Sequence, residues 1–342
     1  MNSSIFKLGD LSVSDIEWLK ATATSKTIAK GELLICQAQS SKELSILIEG
    51  ELAIFVSASG REERKDEREI STLQSGAIIG VISFIDRLPS WSNVKAIEES
   101  TLWILSDEKL TAKLKQDEGF AARFYQTIAA QISSKLRRIS SLLVQKQTLN
   151  EPPLRKVLFV FGILNDSDID WMTDNGKRVN SPPNTTLIKQ GETVEYLYIL
   201  LDGTLAVSIT VSEGDATISK EVTKLASGEM VGEMSFVETG KASANVKSFE
   251  ESLLLAIPQQ QLAAKLKEDM QFASRFYQAI AVVLVDRLRD GLARRGYGYI
   301  SNLSQLDEDI EYEGELDLNI LNQTALAGTR FQWMLRRVIS SY

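Results

Sequence analysis

One module occurs twice in this chain. Ser75–Arg137 can be laid on Ser227–Arg289 without a gap, and 28 of the 63 aligned positions are identical. Upstream the register slips by one residue and the match continues. Leu11, Ser14, Asp15, Trp18 and Gly50 fall on Leu164, Ser167, Asp168, Trp171 and Gly203. The period is far longer than the roughly 20–50 residues of a solenoid unit, so the repeat is a duplicated domain. Any architecture must therefore be built twice. Differences between equivalent positions show what one copy keeps and the other has lost.

Composition narrows the chemistry. A length of 342 residues suits two ordinary domains, and 44% apolar residues suffice for a core in each. The formal charge of −8 opposes broad binding to a phosphate backbone. Cys36 is the only cysteine and histidine is absent. No intramolecular disulfide can form, and a Cys/His zinc site or a Ser-His or Cys-His nucleophile is excluded. No apolar run reaches membrane-span length, and Met1–Asp10 lacks the layout of a secretory leader. A soluble cytoplasmic protein is expected. No enzymatic constellation, metal site or cofactor site is evident.

The order of elements is the same in each copy. A short helix is expected around Asp15–Lys20 and around Asp168–Met172, with Trp18 and Trp171 packing it onto the barrel. A β-rich stretch follows. Leu44–Val56 reads as two strands joined at Glu49-Gly50, and Tyr196–Ile209 as two strands joined at Asp202-Gly203. Glycine accepts positive φ, so both junctions read as hairpins. Arg61–Glu69 is wholly charged, which suits a solvated hairpin tip. The period then changes. Phe120, Phe124, Ile128, Ile132 and Leu136 recur every four residues, as do Phe272, Phe276, Ile280, Leu284 and Leu288, the stripe of an amphipathic helix. Basic residues follow (Lys135, Arg137 and Arg138; Arg287 and Arg289), where they would complement a helix C-terminus. Thr148–Pro153 breaks the first long helix. Each copy is thus a β-barrel or sandwich followed by helices. The domains expected are residues 1–147, 148–299 and an acidic linker with an amphipathic segment at 300–342.

This order of parts resembles the cyclic nucleotide-binding domain family, over roughly residues 10–140 and 160–292. The run Ser227–Phe236, the strand Ala242–Val246 and the Phe-x-x-Arg-Phe-Tyr-Gln helix carry the likeness. The resemblance implies an α+β, mainly β fold: two jelly-roll-like barrels (double-stranded β-helices), each flanked by helices. It also implies a phosphate-binding cassette. There a Gly-Glu turn opens a short helix toward the cyclic phosphate, the Glu accepts from the ribose 2′-hydroxyl, and an Arg about nine residues later pairs with the phosphate. In copy two Gly232, Glu233, Met234 and Ser235 match the turn. Ala242 stands at the Arg position, Ser243 follows it, and Lys241 offers a charge without a bidentate fork. In copy one Gly80 and Ser83 remain, but Val81 replaces the Glu, Ser90 replaces the Arg, and Trp91 stands opposite Ser243. An indole there is expected to fill the cradle.

A charge-assisted hydrogen bond contributes roughly 1.5–3 kcal/mol, or one to two decades in affinity. The resemblance therefore confines cAMP, cGMP or a related ligand to domain 2, at reduced affinity. Two functions follow. One is a non-enzymatic ligand sensor that modulates a protein partner. The other is a scaffold or adaptor with empty cassettes, binding partners through its domain surfaces and C-terminal tail. Self-association through the long helices is also implied by analogy. No helix-turn-helix follows the second copy, so DNA is not an expected partner. Arg123 and Arg275 are expected to make local salt bridges. Cys36 is matched by Lys189, which argues against a shared redox role. In the tail, Asp307–Asp317 holds seven acids and no base. Leu318, Ile320 and Leu321 and then Phe331, Met334, Leu335 and Val338 can serve either a helix docked on its own core or a grip on a partner.

Overall fold

Each copy opens on a helix fixed by a reciprocal cap. In α1 (Val13–Thr22), Ser12 Oγ accepts from the Asp15 N–H while the Asp15 carboxylate accepts from the Ser12 N–H. The computed structural model describes residues 8–56, 67–143, 159–213, 216–238, 240–293 and 318–340. The chain divides into two units, residues 1–153 with 284–312 and residues 154–283 with 313–342. In the first unit α1 is followed by β1 (Thr24–Ile28), β2 (Leu33–Ile35), β3 (Glu43–Glu49), β4 (Leu52–Val56), β5 (Arg68–Leu73) and β6 (Ile78–Ile79). Then come α2 (Val81–Asp86), β7 (Asn93–Ala96), β8 (Ser100–Ser106), α3 (Asp107–Gln116) and α4 (Glu118–Leu143).

The second unit begins with α5 (Phe159–Ile163) and repeats the plan with α6 (Asp166–Asn175), β9 (Lys177–Ser181), β10 (Thr186–Ile188), β11 (Tyr196–Asp202), β12 (Leu205–Glu213), β13 (Ala216–Leu225) and β14 (Met230–Val231). These are followed by α7 (Glu233–Glu238), β15 (Asn245–Ser248), β16 (Ser252–Pro258), α8 (Gln259–Glu268), α9 (Met270–Ala293), whose residues from Leu284 on belong to the first unit, and α10 (Leu318–Ser340).

The topology is the same twice over. The first copy has two four-stranded antiparallel sheets, β1-β8-β3-β6 and β2-β7-β4-β5. The second has β9-β16-β11-β14 and β10-β15-β12-β13. Both faces of β3 and β11 are buried: Leu44, Ile46, Leu47, Leu197, Ile199 and Leu200 are at most 2% exposed, and Leu200 packs in the barrel core. Each such side chain contributes about 1.5–3 kcal/mol by leaving water. This is the mainly β, helix-flanked double barrel that the sequence leads one to expect.

Two details correct the sequence reading. Glu49-Gly50 and Asp202-Gly203 do not make hairpins: β3 and β4 lie in different sheets, as do β11 and β12. The glycines turn corners between sheets, with φ of +98° and +91°. A Cβ on Gly50 would lie 2.6 Å from the Glu99 carbonyl oxygen, and one on Gly203 2.6 Å from that of Glu251. Only glycine tolerates both the angle and the approach. The paired strands are β4 with β5 and β12 with β13. Second, the basic residues expected at the helix ends lie in helix interiors, because α4 continues to Leu143 and α9 to Ala293. Trp18 and Trp171 meet the long helices, at 5.3 Å from Phe120 and 5.5 Å from Phe272 between ring centroids, while α1 and α6 also touch β8 and β16 of the barrels.

The C-terminal segment forms α10, which docks on α5 and α6 of the second unit. Phe331, Met334 and Val338 are buried. Phe331 meets Phe161 edge-on at 5.2 Å. Arg330 donates to Asp166 and to the carbonyls of Phe161 and Leu164, and Arg337 to Asp174. Most of the charged insert at 61–69, the break at 148–153 and the acidic run at 307–317 lie outside the described residues. No described helix is long and apolar enough to cross a membrane.

Candidate ligand-binding cassettes

In both copies a left-handed glycine turns the chain from a two-residue strand into a short helix. Gly232 has φ +97°, and a Cβ there would come within 2.7 Å of the Tyr196 carbonyl oxygen. Gly80 has φ +89°, and its Cβ would lie 3.1 Å from that of Glu43. The strand that returns past each helix is held by the same pair of backbone bonds. Ala242 donates to Glu192 O and accepts from the Gly191 N–H, both at 2.9 Å. Ser90 donates to Gln39 O at 2.9 Å and accepts from the Ala38 N–H at 2.7 Å.

Side chains on this shared backbone differ. In the second copy Glu233 is 2% exposed at the first position of α7, and Ser235 is buried behind it. The Ser235 carbonyl accepts from the Gly240 N–H at 3.2 Å. The Ser243 hydroxyl donates to Met234 Sδ at 3.7 Å, tying the turn to the returning strand. Ala242 packs in the core with Val194, Val231 and Val246. Lys241, by contrast, is exposed. The structure thus gathers Gly232, Met234, Ala242 and Ser243 about one turn, buries Glu233 and Ser235 on α7, and leaves Lys241 at the rim.

In the first copy Gly80, Val81, Ser83, Ser90 and Trp91 all line one cavity of about 40 Å³. Val81 and Trp91 are buried. Trp91 is one wall of that cavity. The Ser90 hydroxyl is turned to the Ser92 carbonyl at 2.8 Å. Two residues of α4 enter this region that sequence reasoning missed. Gln131 accepts from the Ile78 N–H at 3.0 Å and donates to Gly76 O at 2.9 Å, fastening the helix to the turn before the cassette. Its counterpart in copy two is Val283, and that inequality was the available signal. Lys135 lines the cavity, and burial pushes its amine down to about 8. Its position beside the apolar stripe gave no such hint. At the far end of α2, Asp86 and the Pro89 carbonyl are gripped by Arg289, which belongs to the first unit.

Each cassette helix is coupled to the long helix that follows its barrel. Phe84 meets Phe124 edge-on at 6.3 Å, and Phe236 meets Phe276 at 5.9 Å. Arg123 and Arg275 play the structural part expected of them. Each makes a bidentate pair at 2.6 and 2.9 Å with the capping aspartate, Asp15 or Asp168. Burial raises the Asp15 carboxyl, but hydrogen bonds from Arg123 and Ser12 outweigh it and hold the carboxyl below its usual range. Among the described residues no cluster of acids or cysteine could hold a metal ion.

Comparison with known proteins matches residues 25–117 and 178–269, more than half of the chain, to the model of the cyclic nucleotide-binding domain. The cAMP-dependent protein kinase type II regulatory subunit of Drosophila melanogaster is 20% identical over 65% of this chain and 48% of its own length. The cGMP-dependent protein kinase of Eimeria tenella is 23% identical over 72% of this chain and 20% of its own length. The chain thus spans about half of the first relative and a fifth of the second. Among solved structures, the regulatory subunit of a cAMP-independent protein kinase A from Trypanosoma cruzi, bound to guanosine, is 16% identical over 77% of this chain and 83% of that one, with a TM-score of 0.29.

Proposed function

Since the chain belongs to the cyclic nucleotide-binding domain family, with two such domains in tandem, we propose that it is a non-enzymatic regulatory protein. In this reading it senses a cyclic nucleotide or a related ligand through its second domain and modulates a protein partner in the cytoplasm. One observation carries the reading: domain 2 keeps the glycine turn with a carboxylate, Glu233, buried at the head of α7. Domain 1 has Val81 there.

Glu233 supplies the acceptor suited to a ribose hydroxyl, and Gly232 lets a phosphate approach the backbone. Ser235 and Ser243 add hydroxyls, and Lys241 supplies a charge at the rim. Ala242 brings no fork for the phosphate, so affinity is expected one to two decades below a cassette that has one. Ligand would act by favouring one position of α7. The contact of Phe236 with Phe276 hands that preference to α9. Only a difference in affinity between two helix arrangements can drive such a change.

The adaptor reading draws on the burial of Ala242, which leaves the phosphate position apolar. The tail lends it less, since α10 has its main apolar anchors buried in its own unit. Calorimetry with cAMP and cGMP tests the sensor reading. Weak saturable heat that disappears in Glu233→Ala is expected. Absence of heat at millimolar ligand, or an unaltered isotherm in the variant, would leave the adaptor reading.

A further inference from the structure

The cavity of the first cassette is walled mainly by apolar groups, including Ile54, Ile78, Val81 and Trp91. Its polar lining is three serines and Lys135. Among the described residues no acid lines it, and the structure shows no side-chain partner for the Lys135 amine among them. Lys135 is half-buried, so its amine is partly withdrawn from water, and a ligand anion would offset that cost. The amine is still mostly protonated at neutral pH, since burial brings it only to about 8.

Size and lining then select the ligand. About 40 Å³ holds on the order of three water-sized groups. Pockets for whole organic ligands of nucleotide size run to roughly 300 Å³ or more. The apolar walls favour a ligand with a methyl end, worth roughly fourfold in affinity when buried. An inorganic anion would gain nothing from them.

We infer that this cavity is a binding site for a short-chain carboxylate, its charged end on Lys135 with the Ser83 hydroxyl and its alkyl end against Val81 and Trp91. The site stands on the first domain alone and does not depend on what the second domain binds. Binding there would press on α2 and α4 together, because Lys135 is on α4 and Val81 and Ser83 are on α2.

The test uses the full chain titrated with acetate, with acetamide as the neutral analogue, followed by NMR of the Ile78 and Val81 methyls and the Trp91 indole. Saturable shifts at these positions are expected with acetate. Affinity should fall about tenfold to a hundredfold for acetamide and in Lys135→Met. It should also fall as pH rises through about 8, Lys135 being the only titratable side chain lining the cavity among the described residues. Equal affinities for acetate and acetamide, an unchanged affinity in Lys135→Met, or no saturation at high-millimolar acetate would each overturn the inference. Should Lys135→Met not fold, the comparison of the two ligands on the unaltered chain decides alone.

Discussion

Gly80 and Gly232 take the same left-handed conformation, lead into helices of the same length and face strands laddered to the same loop. Around that shared frame the first cassette places Val81, Trp91, Gln131 and Lys135, and the second places Glu233, Met234, Ser243 and Ala242. The frame is held by glycine geometry, backbone bonds and the Phe contact to the long helix, none of which uses a ligand-facing side chain. One copy could therefore lose its polar anchors, and the other its arginine, without cost to the fold.

The widest test of that separation concerns the residues both copies share. Arg123→Ala and Arg275→Ala each leave a buried aspartate without its partner. Each should lower stability by about 3 kcal/mol, read by denaturant unfolding. The aspartate side chains are 5% and 3% exposed, so the two losses should be alike. In the first copy the pair's contribution should be lost on acidification only as pH falls through the Asp15 pKa, which lies below 3.8. A large difference between the two variants would show that the copies no longer share a frame.

The next test adds what is missing. Ala242→Arg restores the phosphate fork beside a retained Glu233 and should raise affinity for cAMP about tenfold to a hundredfold by calorimetry. The matching Ser90→Arg should raise nothing measurable, because Val81 accepts no ribose hydroxyl and Trp91 stands in the cradle. Equal gains from both would erase the contrast between the cassettes.

The smallest expected effect belongs to Lys135→Met. In the folded chain the amine titrates near 8, below the 10.5 of an exposed lysine. The unfolded chain then binds more protons between those values, so the penalty is fully present below pH 8 and fades toward pH 10.5. The variant should be about 1–2 kcal/mol more stable at pH 7, a figure discounted for the partial exposure of the side chain. The gain should vanish above about pH 10.5. A gain independent of pH would mean that packing, not charge, is responsible.

Much of this was legible in the sequence, because a duplicated pattern of periods fixes helices, strands and their order. The stripe from Phe120 to Leu136 and its copy named the long helices. The Asp-Gly and Glu-Gly pairs announced a turn but not its partners. Positive φ is a local property, while the choice between a hairpin and a corner depends on Ser100 and Ser252, about fifty residues away. The cassette residues were proposed from the family resemblance, laid on the sequence position by position. Lys135 and Gln131 were not, since what they touch is set by how α4 lies on β6 and α2, and no local period encodes that. The burial of Ala242 in the core is likewise a tertiary fact.

The most direct measurement is an NMR titration of the unaltered chain with cAMP, read at Gly232–Ser243 and at Gly80–Trp91 in the same spectra. Saturable shifts confined to the second stretch are expected, with the first unmoved. Saturation at Gly80–Trp91, alone or at equal affinity, would contradict the account, as would silence at both.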